Sequence, residues 1–235
     1  MIGTRKQFTL RALGVVAIAL LAGCGSGQTD TGSLGMVRQL AAPALAKVGL
    51  GAKPAAPAAA PNPEAMASRA LAANPNPLIL VGIESLGGMQ VMALNGSNGD
   101  MRTYMTPSMQ AIVTRRGLVT GTKGFGHDLS SADLNGVAPL ILGRRAGEGT
   151  RTMRYIMGDA VERPVTVTCK VTPGPRQSVP FAGRTWAGTT VAESCHGSGV
   201  KFVNSYLVGD NGTALISQQW VGPRMGSVTI QTIRD

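Results

Sequence analysis

The chain is poor in aromatic residues, in histidine and in negative charge. Its 235 residues include four Phe, two Trp, three Tyr, two His and only 12 acidic side chains, against 22 Lys and Arg. So few aromatics are mostly needed for a core, which leaves little for exposed stacking platforms. Two histidines, His127 and His196, do not make a multi-histidine metal centre. No apolar run reaches the roughly 20 residues that a membrane-spanning helix needs. The run from Ala12 to Gly23 has twelve.

That run follows Arg5, Lys6 and Arg11, so residues 1–23 read as a secretory signal. It ends in Leu21, Ala22, Gly23 and Cys24, a pattern that resembles a bacterial lipobox. Such a match implies cleavage between Gly23 and Cys24, a diacylated Cys24 and an acylated amino terminus. Two or more chains make a stable anchor, because each buried methylene contributes about 0.8 kcal/mol. Gly25 follows the cysteine where an aspartate would favour inner-membrane retention, so the expected address is the outer membrane, facing the periplasm. The signal holds three of the 22 basic residues and none of the 12 acidic ones, so a formal charge of +7 remains after cleavage. Export removes nucleic acid as the partner for that charge and leaves anionic glycans, lipid head groups and acidic proteins.

With Cys24 committed to lipid, Cys169 and Cys195 are left in an oxidising compartment. They are 26 positions apart, and a disulfide between them contributes about 3.5 kcal/mol on the chain-entropy model. A zinc site using both cysteines and His196 is the alternative; it lacks a fourth ligand at recognisable spacing.

Residues 24–76 are rich in Ala, Gly and Pro, as in "GLGAKPAAPAAAPNP", and read as a lipidated tether that cannot bury enough apolar surface to fold. A short helix over Pro63 to Ala72, capped by Asn62, is the one element expected there. From residue 77 to 235 the texture changes to short alternating segments. In "RPVTVTCKVT", Val165, Val167, Cys169 and Val171 share one parity, which predicts a half-buried strand with its cysteine inward. "TMRYIM" likewise places Met153, Tyr155 and Met157 on one face. Further strands are expected over 78–84, 88–94, 101–106, 110–115, 117–123, 188–195, 200–208 and 213–221, and near 227–231. Hairpin loops are expected at "NGSNGD" and "DNGT". About ten short strands with almost no helical periodicity predict one mainly β domain, an antiparallel barrel or sandwich.

The stretch "GLVTGTKGFGHDLSS", Gly117 to Ser131, invites a catalytic or phosphate-binding reading, and its spacing opposes both. A Walker loop needs lysine directly after its last glycine, whereas Lys123 precedes Gly124. The dinucleotide pattern fails because Leu129 stands at the third glycine position. No G-x-S-x-G elbow exists, and His127 and Asp128 are adjacent, so on an extended chain they point to opposite faces. No nucleotide, cofactor or metal is expected. The stretch reads instead as a strand entering a tight turn, in which Gly124 and Gly126 supply unusual backbone angles and Asp128 accepts amide bonds. Arg115, Arg116 and the "GRR" at 143–145 are candidates for an anionic glycan, since guanidinium forks match carboxylates. Trp186, Trp220 and His127 are further candidate contacts with a glycan or a partner.

The segment from Met101 to Asp133 resembles the signature of the YjbF/GfcB-type lipoproteins of exopolysaccharide and group-four capsule production. The run R-x-G-x-(L/V)-x-x-T-x-G-(L/F)-G-x-D-L is matched by Arg115, Gly117, Val119, Thr122, Gly124, Gly126, Asp128 and Leu129. The closing segment is similar too, through Tyr206, Asp210, Gln219, Trp220, Gly222, Pro223 and Gly226. Phe125 replaces a commoner leucine, and "SYLV" lacks a frequent tryptophan after Tyr206. The resemblance implies a barrel-like periplasmic domain anchored at the outer membrane. It further implies a non-enzymatic role in polysaccharide secretion or assembly beside an outer-membrane β-barrel partner, and it brings no catalytic residues. A glycan-binding module and a polysaccharide-modifying enzyme are the alternatives.

Overall fold

The computed structural model describes residues 62–156, 158, 159 and 161–235. The signal segment, Cys24, the tether up to residue 61, and Met157 lie outside them. Alternation becomes twelve strands in chain order: β1 (Leu78–Ile83), β2 (Gly88–Asn98), β3 (Met101–Met105), β4 (Ala111–Arg115), β5 (Leu118–Lys123), β6 (Ser131–Asp133), β7 (Gly147–Ile156), β8 (Glu162–Phe181), β9 (Arg184–Gly197), β10 (Val200–Val208), β11 (Ala214–Gly222) and β12 (Gly226–Arg234). Two helices accompany them, α1 (Pro63–Ala73) and α2 (Ala138–Leu142).

Each strand pairs antiparallel with its sheet neighbours in the order β5-β4-β3-β2-β1-β12-β11-β10-β9-β8-β7-β6. The two edges, β5 and β6, come together where the Thr122 amide donates to the Leu129 carbonyl at 2.9 Å, just before β6. The result is a nearly closed barrel rather than a sandwich, and closure leaves little exposed edge for stray pairing.

Burial follows the alternation. Val167, Cys169 and Val171 of β8 are buried, while Thr166, Thr168, Lys170 and Thr172 are exposed. The inward residues join Ile79, Val81, Ile112, Met153 and Val228 in one core. Cys169 stands directly across from Cys195, and the two form the expected disulfide. β8 and β9, of 20 and 14 residues, exceed the short strands the sequence suggests. "NGSNGD" is less of a loop than expected, because β2 stays paired through Asn98 and only Gly99 and Asp100 turn.

Both faces of β1 are covered. Leu78 and Leu80 point outward and pack, with Ile233, against Ala67 and its neighbours on α1. The Asn62 side chain caps that helix at the Ala65 amide, and the Arg234 guanidinium accommodates its last carbonyls at Leu71 and Asn74. Packing thus adds to the folded unit residues that the sequence places within the tether. α2 was not expected; its buried Ala138 and Ile141, with Val137 before them, join the interior core.

In this meander the connections β2–β3, β4–β5, β6–β7, β8–β9 and β10–β11 emerge at one end, with α2. The connections β1–β2, β3–β4, β5–β6, β7–β8, β9–β10 and β11–β12 emerge at the other, with His127. Among the described residues no helix is long and apolar enough to cross a membrane.

Candidate functional site: an arginine-lined cleft at the α2 end

The β4–β5 connection is a two-residue turn, and both of its residues, Arg116 and Gly117, have positive φ, at 50° and 86°. Such turns match the twist of the flanking strands. Gly117 is required twice over, since a Cβ there would also overlap the carbonyl of Ala214. The turn docks on the β10–β11 loop: the Ala214 amide donates to the Arg116 carbonyl at 3.0 Å, and the Arg116 guanidinium donates to the Asn211 carbonyl.

Around this contact lies a cleft of about 480 Å³ lined by Asp100, Arg115, Arg116, Pro139, Arg144 and Asp210, among others. Arg115 donates from both terminal nitrogens to Asn135 Oδ1 at 3.3 Å. Arg144 follows α2 at φ 53° and donates to the Gly209 carbonyl at 3.1 Å and to Asp210 Oδ1 at 3.4 Å. Arg176 grips both Asp210 oxygens, at 2.7 and 2.8 Å. These bonds, Arg176 first and Arg144 after it, hold the Asp210 carboxyl below the usual carboxylate range. Among the described residues Arg115 and Arg116 form no ion pair; their side-chain hydrogen bonds go to the Asn135 amide oxygen and the Asn211 carbonyl, and Asp100 lines the cleft beside them. The cleft therefore offers two guanidinium forks to an anion, and a third, Arg144, is held by Asp210.

The structure divides the residues singled out from sequence. Arg115 and Arg116 share the cleft with Arg144, whereas His127 lies at the opposite end, beyond β5. The turn there is built on Asp128, whose oxygens accept from Thr122 Oγ1 at 2.9 Å, from the Gly124 amide at 2.9 Å and from the Phe125 amide at 3.3 Å. Gly124 and Gly126 adopt φ of 87° and 91°, and Leu129 is buried. Asp128 thus points at the turn's own amides, and exposed His127 has Arg224 Nη1 3.5 Å from its Nε2. His196 is exposed on the outer face of β9, away from the disulfide beside it. Trp220 is half-buried and stacked on Phe202, with ring centroids 4.5 Å apart. Trp186 is buried, with the Arg184 guanidinium over its ring.

A second polar cluster sits inside the barrel. Glu193 Oε2 accepts from Arg151 at 2.9 Å, from Asn204 at 2.7 Å and from the Tyr206 hydroxyl at 2.7 Å. Asn204 in turn accepts from the Trp220 amide at 2.7 Å. Burial, the largest single influence, would lower the pKa of Arg151; Glu193 with Tyr206 and Tyr155 together outweigh it, and the net direction is up. Burial first, then Glu193, pushes Tyr206 well above its ordinary value. This cluster was legible in part: Glu193 shares parity with Val191 and Cys195, and Arg151 with Met153. Alternation alone places both charges inward.

A family model described as group 4 capsule polysaccharide lipoprotein gfcB, YjbF, matches residues 55–233. Among curated proteins none matches the chain. Among solved structures, the hypothetical lipoprotein YmcC from Escherichia coli K12 superposes with a TM-score of 0.63 at 17% identity, covering 72% of this chain and 89% of that one. At that identity the likeness concerns the fold alone. The cover of the family model settles membership: this chain belongs to the YjbF family of group 4 capsule polysaccharide lipoproteins.

Proposed function

We propose that the protein is a non-enzymatic accessory factor in capsule or exopolysaccharide secretion or assembly, held by an acylated Cys24 at the outer membrane and facing the periplasm. It works beside an outer-membrane β-barrel protein of the export system. The family match over residues 55–233 carries this reading. Loss of the gene lowers polymer at the cell surface while internal polymer persists, and in-cell cross-linking recovers a barrel partner. Normal surface polymer in the deletion strain defeats the proposal.

A second reading, a module that binds an anionic glycan, is favoured by Arg115 and Arg116, which form no ion pair among the described residues. Titration with the organism's own polymer separates the two. Saturable, salt-sensitive binding lost in Arg115→Ala, Arg116→Ala supports the module, because guanidinium forks grip carboxylates through charge-assisted bonds. Absence of binding, with the barrel partner still recovered, leaves the docking role.

A further inference from the structure

The two ends of the barrel differ in chemistry, and the difference is not confined to the arginine cleft. Single exposed apolar side chains are ordinary on any protein; their grouping is not. Among the described residues six large hydrophobics are 43–70% exposed: Leu86, Met89, Met109, Ile156, Val161 and Val203. Five of them lie on or next to the connections of the His127 end, and Val203 sits on the wall of β10, in the half nearer that end. The α2 end has none and presents Asp100, Arg116, Asn135, Arg144 and Asp210 instead. Met109, the most exposed, occupies a turn position at φ 66°. Glycine or asparagine would fit that backbone better, so the side chain is displayed at a conformational cost.

These tips form one rim. The Ser85 amide donates to the Met225 carbonyl at 3.3 Å, Gln110 donates to the Gly124 carbonyl at 3.4 Å, and the Ile156 amide donates to Ser130 Oγ at 3.1 Å. Arg224 and His127 link the β11–β12 turn to the β5–β6 loop. Of the acids of this rim, Asp159 pairs with Arg163 and Glu162 with Arg154, whereas Glu84 takes the Ser227 amide and Asp128 the turn amides, with no ion pair among the described residues. Lys123 and Arg224 form no ion pair among the described residues and are exposed. Apolar tips interspersed with exposed charged side chains, Lys123 and Arg224 among them, suit the head-group region of a bilayer.

The chain enters the fold on this side. Pro63, which begins α1, lines a groove with Ile83, Glu84 and Met89. Fully extended, residues 25–61 would span up to about 120 Å, far too long for the tether itself to dictate which end meets the membrane. The rim supplies what the tether lacks, and tethering raises the effective concentration at which a weak contact is populated. We infer that the His127 end, through Met89, Met109, Ile156 and Val161 with Lys123 and Arg224, rests in the head-group layer of the bilayer that holds the acyl anchor. The arginine cleft is thereby turned away from the membrane. The inference depends on the anchoring at Cys24 proposed above.

The test uses acylated full-length protein reconstituted into vesicles of phosphatidylethanolamine and phosphatidylglycerol. A nitroxide is placed at Met109→Cys, at Ile156→Cys or, on the opposite end, at Asp100→Cys, and its collisions with lipid-soluble oxygen and a water-soluble nickel chelate are compared. The expected result is a several-fold higher oxygen-to-nickel ratio at Met109 and Ile156 than at Asp100. With Val161→Cys labelled, adding Met109→Asp and Ile156→Asp removes that excess while the protein still floats with the vesicles. Equal ratios at both ends on floating protein overturn the inference and leave the anchor standing. Protein that does not float defeats the anchor and the inference together. Labels at Met109 and Ile156 that stay in water until outer-membrane protein is added overturn the lipid assignment in favour of a protein partner.

Discussion

Gln219, on β11, accepts a 2.9 Å hydrogen bond at its side-chain oxygen from the amide of Val119, on β5, 100 residues away. Its nitrogen donates to the Gly117 carbonyl and to Ser217 Oγ, each at 2.9 Å. One fully buried side chain thus serves backbone groups along the β5 edge that no strand serves on that side. It also ties together the two segments of the family signature.

Replacing Gln219 with leucine keeps volume and removes all three bonds. A buried amide and carbonyl left without partners cost about 1–3 kcal/mol each. Gln219→Leu is expected to lower the free energy of unfolding by about 3 kcal/mol in urea titrations. An unchanged midpoint would show that water reaches the β5 edge.

Glu193 is fully buried and holds Arg151, itself 2% exposed. Removing one partner of such a pair costs about 3–5 kcal/mol, while replacing both by apolar residues is often neutral or better. Glu193→Leu should therefore lower the melting temperature sharply, and Glu193→Leu with Arg151→Met should recover much of the loss. Equal losses in the single and double variants would contradict this account. In either variant Asn204 and Tyr206 lose an acceptor, so recovery is expected to be incomplete.

Alkaline pH should test the interior independently. Tyr155, whose hydroxyl donates to the Val221 carbonyl at 2.9 Å, is pushed up to about 12 by burial, and Tyr206 is raised as well. A raised folded pKa means that the unfolded chain releases its proton first. The stabilisation is full below about pH 10, the ordinary tyrosine value, and falls as pH climbs through the folded values. The Tyr155 phenolate should appear only near pH 12 in native protein, together with loss of structure. Titration of Tyr155 and Tyr206 near pH 10 in folded protein would refute the buried network.

Asp210 holds Arg176 and Arg144 at the cleft. Asp210→Asn keeps the turn's size and frees both guanidinium groups. Binding of a polyuronate, measured by calorimetry at low salt, should tighten severalfold and weaken again as salt rises, since exposed charges are screened. Binding that weakens in Asp210→Asn would mean that Asp210 orients the arginines for the anion rather than masking them.

Much of the fold follows from local pattern. Alternation in "RPVTVTCKVT" placed the cysteine inward, the expectation of an oxidising compartment paired it with Cys195, and regular turns every few residues made a meander the natural outcome. The Asn62 cap and Pro63 marked α1 in the same local way. What local pattern does not carry is closure. α2 is five residues long and β6 three, too short for any periodicity, and each exists because the barrel end and the β5 edge need covering. Parity put Glu193 and Arg151 inside but did not say that they meet, and the cleft assembles Arg115, Arg116, Arg144 and Asp210 from three separate loops. The sequence by itself determined every strand but β6, their faces and the family. Only tertiary structure decided that Gly117 and Gln219 are partners, that His127 and the arginines lie at opposite ends, and that the exposed apolar tips share one rim. Side-chain parity is a property of neighbours along the chain; these relations arise from register summed around twelve strands.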